Sequence, residues 1–210
     1  MSSGQVVTGE VTGQSVRRLG TWCLWAGILG AASGIFLTVV QPSVDEEMYS
    51  FPLTATGFTV IQAWFFVQHL GLILGLLGLW RSGAAGTSRL GRWGVVSSVA
   101  GMLMLSVTEL VAISAAEDPY PSSRTDLLDV LYGISTIVVG VGLILAGVAI
   151  TRAGKWSGWM RWLPLVTGIY VFAPMTPAIM GPFVIARIAI TVWMLMFAAL
   201  GWALLKAADH

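Results

Sequence analysis

The fold class is decided by residues 58–80, FTVIQAWFFVQHLGLILGLLGLW. This stretch contains no Asp, Glu, Lys or Arg, and it is long enough to cross a bilayer, which takes about 20 apolar residues in a helix. It nevertheless carries Gln62, Gln68 and His69. Gln62 and His69 are separated by nearly two helical turns, so a helix presents them on almost the same face. We therefore predict a transmembrane helix with one polar face.

Glycines mark a second face of this helix and of the span before it. Gly71, Gly75 and Gly78 lie away from the polar face, and Gly30 and Gly34 have GxxxG spacing. Small residues let membrane helices approach closely. These faces predict close helix packing, either within the chain or with a membrane-protein partner.

The composition places the whole chain among helical membrane proteins. Of its 210 residues, 56% are hydrophobic and 10% charged, against about a quarter charged in soluble domains. Apolar runs of membrane-spanning length indicate helices, because a transmembrane barrel shows alternation in segments of about ten residues. The net charge of +1 gives no indication of a nucleic-acid partner.

The metal-ligating residue types do not indicate a cofactor. Cys23 is the only cysteine, and His210 is the only histidine besides His69. A bis-histidine haem or a zinc site needs more ligands than this at suitable spacing. We therefore expect no metal and no cofactor.

The apolar runs predict an all-α protein with six transmembrane helices in one domain, residues 19–206. Residues 1–18 are expected to form a disordered cytoplasmic tail, and residues 207–210 a short cytoplasmic tail. Pro174 and Pro177 leave the fifth span either kinked or short, ending near Phe172. The six predicted spans are Leu19–Val40, Phe58–Trp80, Trp93–Ala115, Leu127–Ile150, a fifth from Trp159, and Phe183–Leu205.

Charge asymmetry sets the predicted orientation. Cytoplasmic loops of membrane proteins are enriched in Lys and Arg, so both termini are expected in the cytoplasm. Arg is much commoner than Lys, which is typical of a GC-rich bacterial genome, and the expected location is a bacterial inner (plasma) membrane. The acidic side, containing Asp45, Glu46, Glu47, Glu117, Asp118 and Asp126, has Arg124 as its one base. The basic side contains Arg17, Arg18, Arg81, Arg89, Arg92, Arg152, Lys155, Arg161 and Lys206.

A weak internal repeat suggests how the spans are grouped. Arg18-Leu-Gly-Thr-Trp22 recurs as Arg89-Leu-Gly-Arg-Trp93, with Met160-Arg-Trp162 as a fainter copy. Each copy opens a pair of spans, which predicts three helical hairpins in parallel orientation. The alternative is that Arg and Trp recur because both favour the membrane interface.

Polar side chains within the spans mark the candidate site. Charged groups in a bilayer are costly and usually face one another or a cavity. The polar side chains within four of the spans fall in the outer half of the membrane, and we expect them to line an outward-opening pocket. Glu109 and Arg187 are expected to form a charged pair in its wall, and His69 its floor. The candidate ligand- or proton-binding residues are Glu109, Arg187, His69, Gln62, Asp129 and Tyr132.

The residues leave the function open between three classes. The first is proton-linked or small-molecule transport, or ligand sensing. The second is a membrane-embedded lipid or isoprenoid enzyme, with Glu109 or Asp129 and His69 as acid and base. The third is an accessory subunit that binds a membrane protein through its glycine faces. The cluster is equally compatible with a purely structural network that fixes helix packing.

Overall fold

The computed structural model describes residues 3–209, and side chains from residue 13 onward. The backbone described is helical, joined by short loops. The long helices are α1 (Ser3–Val39), α2 (Ala55–Arg81), α3 (Arg89–Ala112) and α4 (Ser123–Ala153). The fifth segment contains α5 (Leu163–Tyr170) and α6 (Thr176–Ile179), and α7 (Phe183–Ala208) ends the fold.

Six helical segments in the described residues are long and apolar enough to cross a membrane, which supports a multi-pass membrane protein. The predicted spans are recovered with extended ends, because caps start the helices earlier than hydropathy suggests. Ser122 and Thr125 form a capping box at α4, and Ser88 caps α3. The six segments are Gly13–Val39, Ala55–Arg81, Arg89–Ala115, Ser123–Ala153, Gly158–Ile179 and Phe183–Ala208.

Part of each predicted tail is helical in the structure. Although we expected disorder over residues 1–18, α1 begins at Ser3, and Val16 is buried. Arg17 forms an ion pair with Asp209, beyond the end of α7. These contacts give residues 13–18 a packed surface, which a free tail lacks. Residues 1–2 and 210 of the predicted tails lie outside the described residues.

The fifth segment is kinked and continues beyond Phe172. A π-helical turn, Val171–Met175, contains Pro174 and joins α5 to α6. Proline removes a backbone donor, and the Thr176 hydroxyl donates 2.7 Å to the Val171 carbonyl at this turn. Of the two predicted alternatives, a kinked span or a short span ending near Phe172, the kinked span is therefore the one observed.

The helices form a ring in which each packs on its neighbours in sequence, and α7 closes it against α1. The most extensive contacts are α1 with α7 and α3 with α4, whereas α5 packs mainly on α4. The predicted grouping into hairpins and the location of the termini stay predictions. We call the end with residues 40–54, 113–122 and 180–182 the acidic end, and the opposite end the basic end.

The predicted glycine faces are confirmed as packing surfaces. A Cβ on Gly71 would lie 2.5 Å from the Ala26 Cβ, and one on Gly94 would lie 2.8 Å from the Gly142 carbonyl oxygen. Such distances are far below van der Waals contact. The backbone of α2 thus packs directly on the Ala26 side chain of α1, and α3 and α4 pack backbone to backbone.

Large apolar side chains fill the ring towards the basic end. Leu76, Met102, Leu143, Phe197 and Leu204 are fully or almost fully buried there. The fully enclosed indole N–H of Trp193, the one such group without a hydrogen-bond partner in the part of the chain described, also lies in this core. The polar groups considered below lie towards the acidic end.

Candidate functional site

The centre of the candidate site is a buried set of polar side chains from α2, α3 and α4. Gln62, His69 and Glu109 are 5%, 4% and 6% exposed, respectively. The ring places these faces inwards because the glycine faces of α2 and α3 are occupied by neighbouring helices. Four of the six predicted residues, these three and Tyr132, are brought into contact.

Tyr132 connects this set. Its hydroxyl donates a 2.7 Å hydrogen bond to Glu109 Oε2 and accepts one of 2.9 Å from Gln62 Nε2. Gln62 Nε2 also lies 3.5 Å from the Glu109 carbonyl oxygen. A neutral phenol and a neutral amide therefore surround one side of the carboxyl group.

His69 lies on the other side of the carboxyl group. Its Nδ1 is 3.8 Å from Glu109 Oε1 and 2.7 Å from the Phe65 carbonyl oxygen. A carbonyl can only accept, so Nδ1 carries the hydrogen and donates it to Phe65. This tautomer leaves Nε2 as a proton acceptor, and it makes the His69–Glu109 contact weaker than a hydrogen bond.

Arg187 faces the same carboxyl group without bonding to it. Its guanidinium interacts electrostatically with Glu109, Tyr132 and Tyr49 and stacks on the Phe183 ring at 5.0 Å. The expected Glu109–Arg187 salt bridge is absent from the described residues. The two charges attract across a gap, and Arg187 is half-buried.

Asp129 lies outside the buried set. It is exposed at the start of α4, where Oδ2 accepts a 2.9 Å hydrogen bond from the Tyr120 hydroxyl. Asp129 and Tyr132 are three residues apart and therefore share a helix face, but Asp129 lies about one turn nearer the start of α4 and is exposed. Asp129 therefore lies at the exposed rim of the site and not within the buried set.

Two loops cover the buried set, so the expected open pocket is closed in this structure. Tyr49 N–H donates to the Asp118 carbonyl at 3.0 Å, and Tyr120 N–H donates to the Glu47 carbonyl at 2.7 Å. These bonds join the loop after α1 to the loop before α4. The Tyr49 ring lies beneath them, 5.6 Å from Phe58 and 5.9 Å from Tyr120 between ring centroids.

Tyr49 is a site residue that sequence analysis did not single out. Burial raises the pKa of its phenol, and the charges of Asp129 and Glu109 act in the same direction. Burial likewise raises the pKa of Tyr120, helped by its hydrogen bond to Asp129. Tyr49 thus lies between the rim acid and the buried acid. An aromatic residue in a loop carries no periodic signal, so the sequence offered only its proximity to the acidic run 45–47.

A surface pocket of about 550 Å³ opens at the acidic end between α2 and the end of α3. Thr59 and Ile113, two of its lining residues, lie about one helical turn from Gln62 and Glu109. Asp118 and Arg124 on its wall form a 3.3 Å ion pair. Neither Gln62 nor Glu109 lines the pocket itself.

Gln68 belongs to helix packing. Its Nε2 donates 3.1 Å to the Ala26 carbonyl and lies 3.0 Å from Met194 Sδ. It thereby links α2 to α1 and α7. Among the side chains described, those of residues 13–209, no three from His, Cys, Asp or Glu converge as a metal site would require.

Comparison with known proteins gives no relative from which a function is transferred. No protein family, curated protein or solved structure matches the chain.

Proposed function

We propose that the chain is a proton-linked membrane protein, a transporter or ligand sensor, in which Glu109 takes up and releases the proton. The observation that carries the proposal is the setting of Glu109: buried, held by the Tyr132 hydroxyl, and without a salt bridge to Arg187. An ionised carboxylate in such a setting costs several kcal/mol unless a partner neutralises it. Binding a proton removes that cost.

The neighbours of Glu109 support reversible proton binding. Tyr132 stabilises the ionised carboxylate as a donor, and its oxygen can accept a hydrogen bond from the protonated acid after the hydroxyl rotates. Arg187 adds an attractive charge across a gap. The group therefore accommodates both protonation states, as a proton-binding site requires.

The surroundings support proton exchange with the acidic end. The surface pocket lies about one turn from the cluster, whereas large apolar side chains fill the ring towards the basic end. A transporter would have to open that end in a second conformation, whereas a sensor would have to move only the loops. The acidic end is predicted to face outwards.

The other two function classes have less support. In the enzyme alternative, Glu109 or Asp129 would act with His69. Asp129 lies on the rim and bonds to Tyr120, and Glu109 and His69 are buried, so a lipid substrate would have to displace their neighbours to reach them. In the accessory-subunit alternative, glycine faces would bind a partner, yet Gly71, Gly94 and Gly142 are packed within the chain. The Glu109 cluster is accordingly the better guide to function.

Reconstitution into liposomes tests the proposal. With a pH indicator inside and an imposed pH gradient, a proton transporter moves protons in the wild type and loses this with Glu109→Gln. A sensor moves none, but its tryptophan fluorescence changes with pH in a way that Glu109→Gln abolishes. Glu46→Gln, which alters an exposed acid that does not line the surface pocket, is the control and should behave like wild type. Equal responses from wild type and Glu109→Gln would refute the proposal.

A further inference from the structure

The proposed proton site leaves the hydrogen-bond donors of Arg187 unused. Arg187 lies in the second turn of α7, and its guanidinium stacks on Phe183, which packs edge-on against Phe51 at 5.1 Å. A guanidinium has five N–H donors, yet Arg187 is the donor of no side-chain hydrogen bond and no salt bridge among residues 13–209. The aromatic contacts fix the position of a cation whose hydrogen-bonding capacity is unfilled.

The acid nearest to Arg187 is already engaged. Glu109 accepts from Tyr132 at one oxygen and faces His69 at the other. Arg187 therefore feels the Glu109 charge without being neutralised by a bonded partner. An arginine within a membrane-spanning segment normally pairs or marks a ligand pathway.

We infer that Arg187 binds the oxyanion of a ligand, a small carboxylate or a lipid phosphate, and that it does so when Glu109 carries a proton. The planar guanidinium fork matches carboxylate and phosphate oxygens in pairs. Arg187 lies near the acidic end of α7 and is half-buried, whereas Gln62 and His69 are buried. This inference rests on the proposed function and names its ligand class.

The coupling between proton and anion follows from the charges facing Arg187. With Glu109 ionised, the site already holds one negative charge, and a second anion is repelled. With Glu109 protonated, Arg187 is the uncompensated charge and attracts the anion. By linkage, the bound anion must favour proton uptake to the same extent. The other titratable groups that face this space are His69 from α2, Tyr132 from α4 and Tyr49 from the loop after α1. Asp129 acts on it indirectly, because its charge raises the pKa of Tyr49.

Calorimetric titration of the full-length protein in detergent with benzoate tests the inference. Buffers from mildly acidic to mildly alkaline are used, over which benzoate stays ionised. The affinity should fall by up to about tenfold per pH unit once Glu109 ionises. Glu109→Gln should bind benzoate with constant affinity over the same range, because its side chain carries no charge to repel the anion.

Variants at Arg187 separate a binding role from a structural one. Arg187→Lys keeps the charge but loses the fork, and should weaken benzoate binding by about tenfold or more while the melting temperature is kept. Arg187→Gln should abolish binding. Arg124→Gln removes a base at the same end that pairs with Asp118, and should leave benzoate binding unchanged. Equal loss in Arg124→Gln, or none in Arg187→Lys and Arg187→Gln, would overturn the inference.

Lipid nanodiscs identify the source of the oxyanion. If benzoate binds with the same affinity in phosphatidylglycerol discs as in lipid-free detergent, where no lipid phosphate is present, the ligand is a soluble carboxylate. If phosphatidylglycerol displaces benzoate and Arg187→Gln removes that competition, the ligand is a lipid phosphate. If neither benzoate nor phosphatidylglycerol binds through Arg187, the inference is wrong. Infrared detection of Glu109 protonation in lipid-free detergent without benzoate shows separately whether the proposed proton site stands.

Discussion

At the residue scale, the buried carboxyl group of Glu109 is held by a hydrogen bond from one phenol, that of Tyr132. The Tyr132 hydroxyl donates to Glu109 and accepts from Gln62, so its removal leaves two buried polar groups short of a partner. The cost of leaving a buried group unsatisfied is about 1–3 kcal/mol. Tyr132 is thus the residue through which the cluster's contribution to stability is best measured.

We predict that Tyr132→Phe lowers the melting temperature by several degrees. Tyr170→Phe is the matched control, because the Tyr170 hydroxyl donates one hydrogen bond to the Ala189 carbonyl, away from the cluster. Tyr170→Phe should lower the melting temperature by less than Tyr132→Phe does. Thermal unfolding of both variants in detergent, followed by circular dichroism, measures the difference, and an equal or larger loss in Tyr170→Phe would contradict the assigned role of Tyr132.

The sequence predicted which residues form this cluster more accurately than it predicted the contacts between them. Helical spacing placed Gln62 and His69 on one face, and the cost of burying a charge singled out Glu109. The same reasoning expected Arg187 to pair with Glu109, although periodicity gives the face of a residue and not the reach of a long side chain. Asp129 shares its face with Tyr132 but lies nearer the surface, and a loop residue such as Tyr49 has no periodicity from which its position could be predicted.

At the element scale, close glycine contacts hold the helices together. A Cβ on Gly142 would lie 2.5 Å from the Ser98 amide nitrogen and 2.7 Å from the Gly94 carbonyl oxygen. Because these atoms belong to the backbone of α3, a side chain cannot be accommodated by a rotamer change. The two helices would have to move apart.

We predict that Gly142→Ala destabilises the protein by about 1–3 kcal/mol through overpacking. Gly133→Ala is the control in the same helix, because a Cβ there meets nothing within 4 Å. It should be neutral or slightly stabilising, since alanine favours helix over glycine. Denaturation curves of the two variants provide the comparison, and similar stabilities would argue against tight α3–α4 packing.

The loops at the acidic end carry the predicted pH dependence. Burial raises the pKa values of Tyr49 and Tyr120 above their ordinary value, about 10 in an unfolded chain. Above that pH the unfolded state releases these protons before the folded state does. The folded state therefore binds more protons there, and its stability falls as the pH rises.

We predict that stability declines above about pH 10 and that the decline is shallower in the double variant Tyr49→Phe, Tyr120→Phe. Phenylalanine keeps the ring contacts but has no phenol to ionise. Melting temperatures measured across the alkaline range give the two slopes. Parallel slopes would mean that these phenols do not titrate differently on unfolding.

At the scale of the whole molecule, the separation of charge predicts the sidedness. The acidic loops lie at one end of the ring and the basic loops at the other, as expected from alternating spans. Hydropathy and charge together were sufficient to predict the number of spans because each span is strongly apolar. The start of α1 was not predictable from composition, since Val16 and Arg17 are fixed by α7 and the residue after it, partners distant in the sequence.

We predict that a membrane-impermeant thiol reagent labels Glu46→Cys from outside intact cells and labels Thr87→Cys only after permeabilisation. Both positions are exposed at opposite ends of the ring, and the positive-inside rule places the basic end in the cytoplasm. Cys23 is buried and gives no background. The reverse labelling pattern would invert the topology and with it the side from which Glu109 exchanges protons.

The most direct test of the central claim is infrared difference spectroscopy of the purified protein during a pH titration. If Glu109 binds and releases a proton, a protonated-carboxyl C=O band appears on acidification, shifts with deuterium exchange and is missing in Glu109→Gln but present in Glu46→Gln. A wild-type spectrum with no carboxyl band that Glu109→Gln removes would show that Glu109 does not titrate, and would contradict the proposal.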